Sequence, residues 1–254
     1  MSSEVGAGAD NGDFAVTVLG CSGSYNSAGS PCSGYLVRAG GKNLWLDCGN
    51  GTLTNLQRHI DPAAVDAIVV THSHPDHCVD LFGMHVLATY GLERAGIPVI
   101  AAPDVEACMR PLARSWKSTF DWQEVGDGDR TEIGGMQLHF LRTDHPVPTL
   151  AVEMRAAGKR FVYTADTGPT WSPEAFEPGA DLLLSEATYL HDDRRSDIHI
   201  SAKQAGTFAR DARAQRLVLT HLWPTVDRAL AQAEGSDAFG DAVALAAVHD
   251  HYTL

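Results

Sequence analysis

The chain has 254 residues, of which 44% are hydrophobic and 20% charged, with 24 glycines; this composition excludes collagen-like, coiled-coil and wholly disordered classes and fits one folded domain with a full core. Its net charge of -13, with histidines neutral, leaves no diffuse positive field to hold a long polyanion by counterion release. Any anionic substrate has to be gripped locally.

Residues 1–12 are small, polar and Gly-rich and read as an N-terminal tail, so the single domain is expected over residues 13–254. Short apolar runs bounded by Gly, Pro, Asp or Asn predict strands at residues 15–19, 35–37, 44–46, 67–70 and 99–101, with helices over 50–59, 76–90 and 103–115. The second half repeats this texture: strands at 137–142, 149–154, 160–165, 182–185 and 217–219, a helix over 201–212 and a last strand within 242–248. Two strand-rich halves, each with helices, predict two sheets packed face to face with helices outside. The five cysteines (Cys21, Cys32, Cys48, Cys78, Cys108) are odd in number and lack C-x-x-C spacing, which fits a reducing cytoplasm better than a disulfide framework. The chain start has no basic and apolar leader pattern, and no window approaches 18 apolar residues, so neither secretion nor membrane spanning is expected.

After the apolar run 67–70 comes Thr71-His72-Ser73-His74-Pro75-Asp76-His77. Imidazole and carboxylate donors of this kind suit zinc, manganese or iron, and a strand end turning into a helix lets alternating residues point into one cleft. His72 and His74 can share one metal while Asp76 and His77 reach a second. Three later apolar runs each end on a further ligand type, at His145, Asp166 and His221.

This arrangement resembles the metallo-β-lactamase superfamily from residue 14 onward. The resemblance implies an α/β fold in four αββα layers and two divalent ions, zinc first and manganese or iron as alternatives. By that resemblance His72, His74 and His145 hold one ion, Asp76, His77 and His221 hold the other, and Asp166 bridges them, with a shared hydroxide as nucleophile. Asp47, in Leu46-Asp47-Cys48-Gly49, resembles the segment that supports the ligand loop in that superfamily.

The superfamily spans hydrolases of β-lactams, thioesters, lactones and phosphodiesters, so the branch must come from other residues. Leu19-Gly20-Cys21-Ser22-Gly23-Ser24 is similar to the opening Gly/Ser loop of the RNase Z-like phosphodiesterases, and Ser185-Glu186-Ala187-Thr188 resembles their His-Glu-Ala-Thr segment with Ser185 replacing the histidine. Ile198-His199-Ile200-Ser201 matches the segment preceding a helix in that group. The resemblance implies that His199, oriented by Glu186, gives a proton to the leaving oxygen. Its tRNA-processing members carry a long basic arm, for which the 21 positions from His145 to Asp166 (166 minus 145) leave no room.

Without such an arm the chain resembles the small bacterial cyclic nucleotide phosphodiesterases of that group, and this resemblance implies hydrolysis of a 3′,5′-cyclic nucleotide, with a small nucleotide as partner rather than a long nucleic acid or a membrane. The alternatives are a tRNA 3′-processing endoribonuclease and a thioester, lactone or β-lactam hydrolase. Dimerisation is common in the group, so a homodimer is a further expectation. Trp223 is a candidate stacking surface for a base, His85 and Trp116 can line the cleft or pack, and His249 and His251 read as incidental histidines at a mobile end.

Overall fold

A computed structural model of the chain describes residues 14–112, 118–193 and 196–254. The expected N-terminal tail and Trp116 lie outside the described residues. In chain order the first half runs β1 (Ala15–Gly20), β2 (Gly34–Ala39), β3 (Lys42–Leu46), α1 (Thr52–Leu56), β4 (Ala67–Val70), α2 (Pro75–Cys78), α3 (Leu81–Tyr90), β5 (Ile97–Ala101), α4 (Val105–Met109) and β6 (Phe120–Glu124). The second half follows with β7 (Arg130–Ile133), β8 (Met136–Arg142), β9 (Leu150–Ala156), β10 (Lys159–Tyr163), β11 (Leu182–Glu186), α5 (Ala202–Asp211), β12 (Leu217–Thr220), α6 (Arg228–Phe239), β13 (Ala244–Leu245) and β14 (His251–Thr253).

These strands form two seven-stranded mixed sheets, ordered β14-β1-β2-β3-β4-β5-β6 and β13-β12-β11-β10-β9-β8-β7. Every residue of β1, β4, β11 and β12 is buried, as expected of sheet interiors covered on both faces, where strands read as unbroken apolar runs. Between the sheets lies a core that joins Tyr35, Leu46 and Val69 to Phe140, Val152, Phe161 and Tyr163. A smaller core fixes α5 and α6 on the outside of the second sheet through Ala202, Ala205, Ala209, Ala231 and Leu219. The two helices touch closely because Gly206 has no side chain: a Cβ there would stand 2.4 Å from the Gly235 carbonyl oxygen.

Most predicted strands are present with edges shifted by one or two residues, and four differences have physical reasons. The exposed β6 and the alternating β7 are absent from the apolar-run reading, because they lie at sheet edges and contribute little to the core. The helix expected over 76–90 breaks between α2 and α3, where Asp80 turns back to accept a hydrogen bond from Leu53 N at 2.8 Å. The helix α6 was not expected; Gly235 and Ser236 sit in its middle, and Asp227 starts it by accepting from Ala229 N and Leu230 N. Finally, only residues 244–245 of the predicted last strand pair in the second sheet, and the chain then crosses to the first, where Thr17 pairs with His251. The C-terminal segment is thus not a mobile end: His251 Nδ1 lies 3.0 Å from Thr17 Oγ1, and His249 Nδ1 lies 2.9 Å from His59 Nε2.

All five cysteines are free thiols, four of them buried. Among the described residues no helix is long and apolar enough to cross a membrane.

Candidate metal centre

The seven predicted ligands stand together where strands of both sheets end. β4 delivers His72 and His74, α2 carries Asp76 and His77, and the segments following β8, β10 and β12 supply His145, Asp166 and His221. Crevices outside the carboxyl ends of strands are where open α/β sheets place their ligands. The backbone is strained here: Asp47, Ala165 and His221 have φ of 55, 52 and 58°, a region L-residues hold only where the surroundings enforce it.

The seven side chains sort into two groups that share Asp166. Ligand atoms of His72, His74, His145 and Asp166 lie within 4.8 Å of one another, as do those of Asp76, His77, Asp166 and His221. Asp166 Oδ2 faces the first group, 3.6 Å from His72 Nε2 and 4.0 Å from His145 Nε2, while Oδ1 faces the second, 3.2 Å from His77 Nε2 and 3.4 Å from His221 Nε2. His74 Nδ1 stands 3.2 Å from His145 Nε2, and Asp76 Oδ2 stands 3.5 Å from His77 Nε2 and 3.3 Å from His221 Nε2. Two ligands each about 2.1 Å from a tetrahedral ion are about 3.4 Å apart, so these spacings fit ligand atoms around one ion.

Buried polar atoms test whether a metal belongs here. His72 Nε2, His77 Nε2 and Asp166 Oδ1 have no hydrogen-bond partner, and an unsatisfied buried polar atom costs about 1–3 kcal/mol. His77 donates from Nδ1 to Asp47 at 2.7 Å, so its Nε2, facing the carboxylates of Asp76 and Asp166, must carry either a proton or a cation. A divalent ion in each group satisfies all three atoms, and the residues fit the metals.

The outer nitrogens of the histidines are held in place. His145 Nδ1 donates to the Ile198 carbonyl at 3.0 Å, His221 Nδ1 to Thr188 Oγ1 at 2.9 Å, and His72 Nδ1 to Thr71 Oγ1 at 3.1 Å. Asp47 accepts from Thr71 N, Thr71 Oγ1, His77 Nδ1 and the Tyr163 hydroxyl. Its expected support of the ligand loop is therefore a set of direct bonds. Such partners fix ring orientation and tautomer, and losing one commonly costs 10- to 100-fold in metal affinity. Thr71, Thr188 and Tyr163 were not singled out in the sequence, since nothing local marks a hydroxyl that will meet a residue 33 or 116 positions away.

Burial keeps His72, His74 and His145 below the ordinary imidazole range, so each presents a neutral nitrogen lone pair near neutrality. Burial also opposes the charge of Asp166, but His221, His77 and His72 around it hold the carboxyl well below its usual range. The first group thus offers neutral nitrogens beside an ionised oxygen, the state in which both kinds of donor bind metal. In the second, burial opposes a charge on His77, but Asp166, Asp47 and Asp76 hold its imidazole well above the ordinary range, so a metal there takes the place of a proton.

Glu186 and His199 lie beside the cluster. Glu186 is fully buried and accepts four hydrogen bonds, from Thr167 N at 2.6 Å, Thr188 Oγ1 at 2.8 Å, Ile200 N at 3.3 Å and His199 Nδ1 at 3.1 Å. Burial works against a charged His199, but Glu186 outweighs it and, with Asp166 and Asp76, lifts the imidazole to about 9. Ser185, which replaces the histidine of the related segment, donates from Oγ to the carbonyl of Glu186. Away from the cluster, His85 Nδ1 lies 2.8 Å from Thr119 Oγ1.

The Gly/Ser loop after β1 closes the site from the side of His221. Gly23 N donates to Leu222 O at 3.0 Å and Ser24 N reaches His221 Nε2 at 3.3 Å. A Cβ on Gly23 would stand 2.1 Å from the His221 carbonyl oxygen, so Gly23→Ala has to displace a candidate ligand. Because a misplacement of about 1 Å can cost about 10²-fold in rate, Gly23→Ala is expected to lose about that much activity, with about 1–3 kcal/mol of stability from the displaced backbone, measured by steady-state kinetics beside a melting curve.

A fold of two face-to-face sheets with a His/Asp cluster at their strand ends defines a class of metal-dependent proteins, and residues 42–222 match the family described as the beta-lactamase superfamily domain. The chain belongs to the metallo-β-lactamase superfamily. It is 35% identical over 225 residues to an uncharacterised protein of Mycobacterium leprae, covering 84% of this chain and 79% of that protein. It is 33% identical over 213 residues to the probable metallo-hydrolase YhfI of Bacillus subtilis, covering 82% and 86% of the two chains. The crystal structure of YhfI superposes with a TM-score of 0.86 at 27% identity over 95% of this chain and all of the other. A ribonuclease Z of Archaeoglobus fulgidus is 26% identical over 273 residues, covering 82% of this chain and 87% of that enzyme.

Proposed function

We propose that the protein is a binuclear metal-dependent phosphodiesterase acting on 3′,5′-cyclic nucleotides. The observation that carries the binuclear reading is Asp166, whose two oxygens face two separate groups of nitrogen and oxygen donors. With no thiolate in either group, zinc is the first choice and manganese or iron also suit. Two divalent ions supply Lewis-acid charge to a phosphoryl group and lower the pKa of water toward neutrality.

The chain's own residues supply the rest. Glu186 fixes Nδ1 of His199, which leaves Nε2 as the nitrogen that hands a proton to the departing oxygen. The Gly23–Ser24 turn packs against His221, its amides bonded to Leu222 O and His221 Nε2, which sets this loop at the edge of the ligand cluster. Resemblance to ribonuclease Z supports phosphodiester chemistry. The stretch between His145 and Asp166 is occupied by β9, β10 and their tight turn, so an arm for a long RNA has no place there, and with the charge of -13 this favours a small nucleotide.

The test is hydrolysis of 3′,5′-cAMP by the zinc- or manganese-loaded protein, with bis(p-nitrophenyl) phosphate as a generic diester. Metal-dependent release of AMP is the expected result. Turnover of the generic diester alone would redirect the substrate to RNA ends, and inertness toward both would favour thioesters or lactones. His199→Ala is expected to slow cAMP hydrolysis by about 10²- to 10⁴-fold while sparing bis(p-nitrophenyl) phosphate, whose nitrophenolate leaves without protonation. Equal losses on the two substrates would remove the proton-donor role.

A further inference from the structure

Four aromatic rings lead outward from the metal centre. His199 meets Tyr189 edge to face at 6.0 Å, Tyr189 meets Trp223 at 5.0 Å and Trp223 meets Tyr25 at 6.0 Å. The inner members are fixed: Trp223 donates from Nε1 to Ser24 Oγ at 3.0 Å and from its backbone to Thr188 O at 3.3 Å. The last ring differs. Tyr25 is 44% exposed, yet it stands next to Ser24, whose backbone N–H is 3.3 Å from His221 Nε2.

We propose that Tyr25, backed by Trp223, is the platform on which the planar base of a nucleotide stacks while its phosphate lies at the metal centre. The proposal rests on the phosphodiester reading for the position of the phosphate. Three observations carry it. Tyr25 leaves part of a large aromatic ring open to a ligand beside a cluster of buried donors, and its other side is backed by Trp223. Its position is set, because the loop that bears it is bonded to the His221 segment at Gly23 and Ser24. Finally, a chain with a charge of -13 cannot draw a nucleotide by long-range attraction, so affinity beyond the phosphate has to come from the base or the sugar. Every nucleobase has a π-face, and stacking on an aromatic side chain tolerates sequence, so this surface selects for a base without choosing strongly among bases.

The test compares 5′-AMP with ribose 5-phosphate, which differ by the base, in calorimetric titrations of the metal-loaded protein. Wild type is expected to bind AMP about tenfold or more tightly than ribose 5-phosphate. Tyr25→Ala should erase that preference with ribose 5-phosphate binding unchanged, and Tyr25→Phe should keep it, since the ring is what stacks. No preference in wild type, no binding of either compound, or an equal loss for both in Tyr25→Ala would overturn the platform. The two readings fail separately: a Tyr25-dependent preference for AMP with no diester hydrolysed would keep the platform and remove the reaction, whereas cAMP hydrolysis without that preference would do the reverse.

Discussion

Asp166→Ala is expected to abolish hydrolysis, lowering kcat/KM by on the order of 10³-fold or more, because charge stabilisation by bound metal is worth several kcal/mol and each 1.36 kcal/mol is tenfold. The reason is geometric. Asp166 is the one residue belonging to both His-containing ligand groups that hold the predicted motif, with Oδ2 turned to His72 and His145 and Oδ1 turned to His77 and His221. Removing it leaves each group with three protein ligands and removes the negative charge that sits among five imidazoles. Asp76→Ala, which strips a ligand from the second group only, should be less damaging. Metal content measured by atomic emission beside the kinetics separates the two variants: Asp166→Ala is expected to lose metal from both positions and Asp76→Ala from one. Retention of two metals and full activity in Asp166→Ala would refute the bridging role.

Asp47→Ala should be the most damaging substitution for the fold. The carboxylate is completely buried and accepts from Thr71 N at 2.9 Å, Thr71 Oγ1 at 2.9 Å, His77 Nδ1 at 2.7 Å and the Tyr163 hydroxyl at 3.1 Å. Burial and then the charge of Asp47 keep Tyr163 protonated, so it serves as a donor. The residue therefore ties β3 to the ends of β4 and β10, one strand from the other sheet, and holds a candidate ligand as well. Breaking a buried charged network by removing one partner costs about 3–5 kcal/mol, which lowers Tm by about 10 °C in a chain of this size. Asp47→Asn keeps the shape and the bond from Thr71 N but not the carboxylate on His77. It should melt closer to wild type and lose about 10- to 100-fold in metal affinity. A melting temperature for Asp47→Ala within a degree or two of wild type would show that the network is not stabilising.

The contrast between β4 and β7 shows which strands could be read from the chain. Ala67-Ile68-Val69-Val70 is buried at every position and announces itself as an apolar run. Arg130–Ile133 alternates between exposed and half-buried residues and owes its place to backbone pairing with β8. Apolar runs record burial, whereas an edge strand is stabilised by hydrogen bonds that any sequence can make. The same limit explains β14: no local signal says that residues 251–253 will pair with 15–17, because the partner is at the other end of the chain.

For the site, the sequence by itself determined the donor types. The donors of His72 to His77 are close in the chain, and each of His145, Asp166 and His221 follows an apolar run that ends at the same side of the sheets. The placement of His199 beside Glu186 was also expected from resemblance, and the two are 3.1 Å apart. Only the tertiary structure decided how the donors divide. Which oxygen of Asp166 faces which histidines depends on the positive φ of Ala165 and on contacts across 94 positions to His72 (166 minus 72), and Tyr25 is brought to the site because its neighbour Ser24 bonds to His221, 197 positions away. Residue type fixes what an atom can bind, and that is a local property; the direction in which the atom points is set by packing between segments the sequence keeps far apart.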